Sequence, residues 1–239
     1  MNAKTVLFTR VLPDLKAASP YLTTAAITQR VQELGLAIKP GTLPVYLTEA
    51  TAAGLIHDAG RGWYSRLSEP SPLDSKPTAK LIRAVEKKFP LLDFTVWSTE
   101  QIRAYSHHLL ARFVTFVHTD RDAMPSVAEF LRNAGYDVHL NPRSDAARQF
   151  MIREKTVVVR PKNNAQPHVG RHVTIEGLLV ELFVESRPLN LMDPHECYRI
   201  FANLAGQSRI SMGALLNYAR ERRPAALYFM ELINSEFMK

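Results

Sequence analysis

The stretch AAGLIHDAGRGWYSRL, residues 52–67, places two glycines around a single arginine and follows them with two aromatic residues. Glycine adopts positive φ without steric cost, so the Gly60-Arg61-Gly62 segment predicts a tight turn between two short strands. Gly54 is placed to end a helix ahead of the first strand. The stretch therefore predicts a helix that leads into a β-hairpin with Arg61 at its tip.

Three helices are predicted upstream of this hairpin. Apolar residues at helical spacing indicate helices over residues 6–15, 24–34 and 42–54. We expect Thr23 or Thr24 to cap the second helix and Thr42 to cap the third. The inward face of the third helix consists of Leu43, Leu47 and Ala50. Three helices followed by a hairpin predict a winged helix-turn-helix domain over residues 1–68.

In that fold the third helix enters the major groove of DNA, and the hairpin contacts the phosphate backbone or the minor groove. The third helix contains no Arg, Asn or Gln, so it is expected to read thymine methyl groups, bound water or groove shape. The predicted contacts to double-stranded DNA are Lys39, Thr42, Pro44, Val45, Thr48, Arg61 and Trp63. The alternative is a winged helix that binds only protein.

A segment rich in proline and serine, residues 69–77, predicts a linker after this domain. Residues 78–239 then alternate amphipathic helices with short strands and end in three helices. The sequence therefore predicts an α+β protein. It combines an N-terminal winged helix-turn-helix domain with a larger, mixed α/β C-terminal domain.

Overall charge favours an anionic partner. The 239 residues carry a formal net charge of +7, and nucleic acid leads among the anions that a basic protein binds. No long apolar run predicts a membrane span, and Arg10 and Asp14 come too early for a secretory signal. Cys197 is the single cysteine, which fits a reducing compartment and a cytoplasmic location.

A second basic surface is predicted in the C-terminal domain. Residues 143–172 contain seven basic residues and two acidic ones, and the last helices add three arginines. Such a surface would raise the affinity for nucleic acid through counterion release. Its predicted members are Arg148, Arg153, Lys155, Arg160, Lys162, Arg171, Arg220, Arg222 and Arg223. The alternative is a set of ordinary solvated side chains.

Several motifs resemble, in the same order along the chain, the AbiEi-type antitoxin and transcriptional regulator family. They are the GLI and GRGWY segments of the hairpin, Trp97-Ser98-Thr99, IEGLLV at 175–180 and YARERR at 218–223. The family usually has a lysine and an aspartate in its EK-LLVDL helix, where this chain has Gly177 and Glu181. The resemblance covers most of the chain.

This resemblance implies a role in a type IV toxin–antitoxin system, often linked to phage defence. The winged helix would repress the protein's own operon, and the C-terminal domain would neutralise the toxin. The implied partners are the operator of its own gene and a cognate nucleotidyltransferase-like toxin.

The sequence contains several residues that could bind a metal ion. His107, His108, His118, Asp120 and Asp122 are candidate metal ligands, but their spacing alone does not define one site. We expect no metal, no cofactor and no enzymatic activity. The leading alternative is a nucleic-acid-processing enzyme, either a metal-dependent nuclease or a nucleotidyltransferase, that a winged helix targets. A protein-interaction scaffold without a DNA role is a third possibility.

Overall fold

The computed structural model of this protein describes residues 2–39, 41–106 and 112–237. Within these ranges helices and two β-sheets are mixed along the chain, which confirms the predicted α+β class. No helix in the described ranges is long and apolar enough to cross a membrane.

The N-terminal unit contains helical segments and a small sheet. In chain order they are α1 (Ala3–Val6), a π-helical turn (Leu7–Val11), α2 (Leu12–Ala18), β1 (Tyr21–Thr23), α3 (Thr24–Glu33), α4 (Thr42–Ala52), β2 (His57–Asp58) and β3 (Trp63–Ser65). The sheet is antiparallel with the order β1-β3-β2. The helices surround a buried apolar cluster that includes Leu7, Ile27 and Leu47.

Local chemistry explains most of these boundaries. The hydroxyl of Thr23 accepts a hydrogen bond from the Ala26 N–H at 3.0 Å and caps α3, as predicted. Thr42 was wrongly predicted to cap α4, because Gly41 occupies the N-cap and Thr42 is the first helical residue. The Thr42 N–H instead donates to the Lys39 carbonyl at 2.9 Å, which starts the helix one residue earlier.

The C-terminal unit is built on a six-stranded sheet. Its first elements are α5 (Lys76–Lys88), β4 (Phe94–Ser98), a 3-10 helix (Thr99–Tyr105), β5 (Val114–Thr119), α6 (Met124–Asn133), β6 (Asp137–Leu140), α7 (Ser144–Arg148), β7 (Thr156–Pro161), β8 (His168–Val169) and β9 (His172–Val173). The strand order is β6-β7-β5-β4-β9-β8. Strands β5, β6 and β7 run parallel, so their carboxyl ends lie at one edge.

Four helices complete the chain, namely α8 (Ile175–Leu189), α9 (Pro194–Gln207), α10 (Met212–Glu221) and α11 (Pro224–Phe237). Successive residues of a strand point to opposite faces of the sheet, and each face packs in a different core. Val117 and Val159 pack with α5 and α6, whereas Phe116 and Val158 pack with the C-terminal helices. The sheet therefore lies between two helical layers.

The predicted linker is non-helical over residues 69–75, but Lys76 and Pro77 already belong to α5. Its non-helical part is bonded to the C-terminal unit. The Ser71 N–H donates to the Arg209 carbonyl, and the Arg209 N–H donates to the Glu69 carbonyl, each at 2.8 Å. The hydroxyl of Tyr21 in β1 accepts from the Ile210 N–H at 2.9 Å and donates to the Ser208 carbonyl at 3.1 Å. Four hydrogen bonds thus join the N-terminal unit and linker to the segment between α9 and α10.

The hairpin turn lies against the start of α10. Gly60 and Gly62 have φ values of +95° and +79°, which explains glycine at both positions. A Cβ atom on Gly213 would lie 2.9 Å from the Arg61 nitrogen and 3.0 Å from the Gly60 Cα. The Gly213 N–H also donates to the Ala59 carbonyl at 3.2 Å. Glycine at position 213 therefore permits this backbone contact.

We expect Gly213→Ala to lower the free energy of unfolding by about 1–3 kcal/mol, since the added methyl overlaps backbone that cannot rotate away. Urea unfolding followed by circular dichroism measures the change. Gly206→Ala in α9 is the matched control because nothing lies within 4 Å of its added Cβ. Equal stability of the two variants would contradict the close packing at Gly213.

Candidate functional site

Helix α4 has one buried face and one open face. Leu43, Leu47 and Ala50 are buried in the N-terminal core, as predicted. The open face carries Pro44, Val45, Thr48 and Glu49, and Val45 is 55% exposed. The other predicted contact on this helix, Thr42, is half-buried in its first turn.

Hydrogen bonding leaves mainly apolar groups on this open face. The Thr48 hydroxyl donates to the Pro44 carbonyl at 3.0 Å, so its proton is already used within the helix. The Glu49 carboxylate lies 2.7 Å from the Lys4 ammonium, which compensates its negative charge. The face therefore offers methyl groups without an uncompensated negative charge.

The basic side chains of the N-terminal unit differ in whether they already have a hydrogen-bond or ionic partner. Lys16 donates to the Leu55 carbonyl at 2.6 Å, and Arg30 pairs with Glu33 at 3.1 Å. Lys39 and Arg61 are both exposed, Lys39 before α4 and Arg61 at the hairpin turn. These two predicted contacts are therefore available to an anionic partner.

The two aromatic residues of the hairpin face different cores. Tyr64 packs against the N-terminal cluster. Trp63 packs against the apolar cluster formed by the C-terminal helices and the sheet. Its ring is engaged in contacts between the two units, so we leave Trp63 out of the proposed DNA contacts.

Four of the nine residues of the predicted second basic surface are paired with carboxylates. Arg160 is 8% exposed and bonded to Glu185, and Arg222 lies 3.0 Å from Glu181. Lys162 pairs with Asp93, and Arg171 contacts both Glu86 and Asp93 at 3.3 Å. Carboxylates distant in sequence neutralise these cations, which a count of local charge cannot reveal.

The other five members are exposed but lie apart along the chain. Arg148 is in α7 and pairs with Asp145, while Arg153 and Lys155 precede β7. Arg220 and Arg223 lie near the end of α10. Arg153 and Lys155 line a cleft of about 740 Å³ at the amino ends of β5 and β7.

A buried ionic network lies under the opposite, carboxyl edge of these strands. Arg160 in β7 makes a bidentate pair with Glu185 of α8, with N–O distances of 3.0 and 2.5 Å. Arg222 contacts Glu181 one turn earlier in α8, and Tyr218 donates a hydrogen bond to the same carboxylate. Burial raises the pKa values of both Glu181 and Tyr218.

Sequence reasoning missed this network. Glu181 and Glu185 are four residues apart in a largely apolar helix, where carboxylates one turn apart face the same way. That spacing was the available signal, but the matching arginines come from β7 and from the end of α10. Only the packing of α8 and α10 on the sheet brings the four charges together.

His118 is buried in β5 and bonded to Trp97. The indole N–H of Trp97 donates to its Nε2 at 3.1 Å, and burial lowers the pKa of His118 to about 3. In the part of the chain that the structure describes, no three His, Cys, Asp or Glu side chains are grouped to hold a metal ion. The candidate ligands His107 and His108 lie outside the described residues.

Cys197 is buried in α9, with its sulfur 3.4 Å from the Ser186 hydroxyl. Burial raises the pKa of the thiol to about 11, so the nucleophilic thiolate is disfavoured at neutral pH. Cys197 is part of the apolar core formed by the sheet and the C-terminal helices.

We expect the free energy of unfolding to fall by up to about 1.4 kcal/mol per pH unit through His118 as pH drops below 6.5. The unfolded chain binds a proton there, whereas the folded ring stays neutral until about pH 3. Urea titrations between pH 7 and 4.5 measure the slope. His118→Gln retains an acceptor for Trp97 and should show a shallower slope; an unchanged slope would contradict the assignment.

Comparison with known proteins gives one match. Residues 42–239 match DUF6577, described as a family of unknown function, and the match runs from α4 through the hairpin and the linker to the C-terminal helices. No curated protein and no solved structure matches the sequence significantly. Since the family match covers most of the chain, this protein belongs to the DUF6577 family.

Proposed function

We propose that this protein is a DNA-binding transcriptional regulator whose residues 1–68 act as a winged helix-turn-helix domain. The observation that carries the proposal is the open face of α4. This helix follows α3, buries one side in the N-terminal core, exposes the other and is followed by an antiparallel hairpin. In helix-turn-helix proteins the corresponding helix enters the major groove.

The chemistry of α4 defines how it would read DNA. Val45 and Thr48 present methyl groups, which match the C5-methyl group of thymine in the major groove. Amide and guanidinium groups that read adenine and guanine are absent from residues 42–52. The proposed operator therefore contains thymines opposite α4, and the rest of its specificity comes from shape and water.

Phosphate contacts would supply most of the affinity. In the sequence, Lys39 precedes α4 and Arg61 follows it. Both side chains are exposed, so each can pair with a phosphate. The backbone of the hairpin turn is fixed against Gly213, which reduces the ordering that DNA binding would require. Arg61 would therefore present its positive charge from a backbone that is already ordered.

The biological role follows from the resemblance to AbiEi-type antitoxins. We propose that the protein is cytoplasmic, represses its own operon and is the antitoxin for a nucleotidyltransferase-like toxin. The C-terminal domain would supply the neutralising activity.

Fluorescence anisotropy tests the DNA proposal on the full chain. The probe is the duplex immediately upstream of the protein's own gene, and a scrambled duplex of equal composition is the reference. We expect tighter binding to the upstream duplex across a salt series. Equal, purely salt-dependent affinity for both duplexes, or no binding at low salt, would contradict the regulator.

Arg61→Ala should weaken binding to both duplexes equally and reduce the slope of log K against log salt by about one. The cause is the loss of one phosphate contact that carries no sequence information. Arg83→Ala is the matched control, since this exposed arginine lies in α5, outside the N-terminal unit and the predicted second basic surface. Indistinguishable salt slopes for the two variants would remove Arg61 from the interface.

Combining Val45→Ala with Thr48→Ser should lower the preference for the upstream duplex by about tenfold, because three methyl groups leave the interface. Binding to the scrambled duplex should change little, which separates sequence reading from phosphate contact. An unaltered preference would show that α4 does not read this sequence.

A further inference from the structure

A second site lies in the C-terminal unit, at the carboxyl ends of its parallel strands. A cavity of about 310 Å³ opens there, lined by residues that end β5 and β7, by the loop after β6 and by α8. Ligands of open α/β sheets bind beyond the carboxyl ends of the strands, and small-molecule pockets start at about 300 Å³. Position and size together fit a small molecule.

The loop after β6 is held in an uncommon backbone conformation. Asn141 and Ser144 have φ values of +45° and +49°, a region that residues other than glycine seldom adopt. Nη1 of Arg160 donates to the Asn141 side-chain oxygen at 3.1 Å and to the Pro142 carbonyl at 2.8 Å. Such conformations persist where surrounding contacts enforce them, and they cluster at ligand sites.

The lining has donors that the fold does not use. Nη2 of Arg222 pairs with Glu181, whereas its Nη1 has no hydrogen bond within the described residues, and the side chain, 24% exposed, lines the cavity. Arg143 is exposed at the cavity, and no ion pair involving it is found among the described residues. His118 accepts from Trp97 through Nε2, so its neutral ring carries the proton on Nδ1.

The charges of this region favour an anion. Arg160 is neutralised by Glu185, and Arg222 is paired with Glu181. Arg143 remains as an uncompensated cation in the same cavity lining as Nη1 of Arg222. A phosphate group has several oxygens that accept from separate guanidinium groups, and Arg recognises phosphate in this way.

We propose that this cavity binds the phosphate group of a ligand no larger than a mononucleotide or the end of a nucleic-acid strand. Arg143 and Arg222 hold the phosphate oxygens, and the loop enforced by Arg160 forms the wall. The site does not depend on DNA binding by α4, because its residues lie in a different unit of the chain.

Isothermal titration calorimetry of the full chain tests the site with inorganic phosphate and adenosine 5′-monophosphate as probes. Arg143→Ala and Arg222→Lys should each weaken binding at least tenfold. Lysine at 222 can still pair with Glu181 but lacks the second terminal nitrogen of the guanidinium group. The control is Arg83→Ala, an exposed arginine of α5 outside the lining, which should bind as the parent does.

Oligonucleotides with and without a 5′-phosphate identify the source of the phosphate. A preference for adenosine monophosphate over both strands supports a free nucleotide, and a preference for the 5′-phosphorylated strand supports a strand end. No binding of any phosphate probe at millimolar concentration overturns the proposal. Binding that Arg143→Ala and Arg222→Lys leave unchanged overturns it as well, whatever the anisotropy of the α4 variants shows.

Discussion

Two glycines from distant parts of the chain meet where the hairpin turn lies on the start of α10. Gly60 lies in the turn and Gly213 in the helix, and each would place a Cβ atom within about 3 Å of the other's backbone. The contact is supported by Tyr21, whose hydroxyl bonds to the chain on both sides of Arg209. The orientation of the N-terminal unit, and hence of α4, depends on this joint.

The contact between Gly60 and Gly213 orders the hairpin before any DNA binds. A free wing would have to be ordered when DNA binds, whereas this turn is already bonded through the Ala59 carbonyl. Trp63 adds its ring to the C-terminal core on the same side. The hairpin thus joins the two units and still leaves the Arg61 side chain exposed.

The ionic network organises the other half of the molecule. Arg160, Glu181, Glu185 and Arg222 come from β7, α8 and the end of α10, so their pairing fixes these elements relative to one another. Removing one partner of such a buried pair typically costs 3–5 kcal/mol, because a charge remains without compensation. The same arrangement holds the loop after β6 and shapes the cavity beside it.

Local features of the sequence were sufficient to locate most elements. Hydrophobic periodicity located the helices of the N-terminal unit, and the glycines around Arg61 located the hairpin turn. The cap at Thr42 was mistaken because a hydroxyl at a helix start is only one way to begin a helix. The functional surfaces differ in the same way. The buried and open faces of α4 follow from helical spacing, whereas the sequence did not predict the charged cavity of the C-terminal unit.

The sequence by itself determined where the elements lie, how the hairpin turns and which side of α4 is apolar, because each depends on neighbours a few residues away. Tertiary structure alone decided which cations reach solvent. Arg160 finds its carboxylate 25 residues away and Arg171 finds one of its partners 78 residues away. Charge pairing and the glycine contact between hairpin and helix depend on distances in space, which the linear order of residues does not specify.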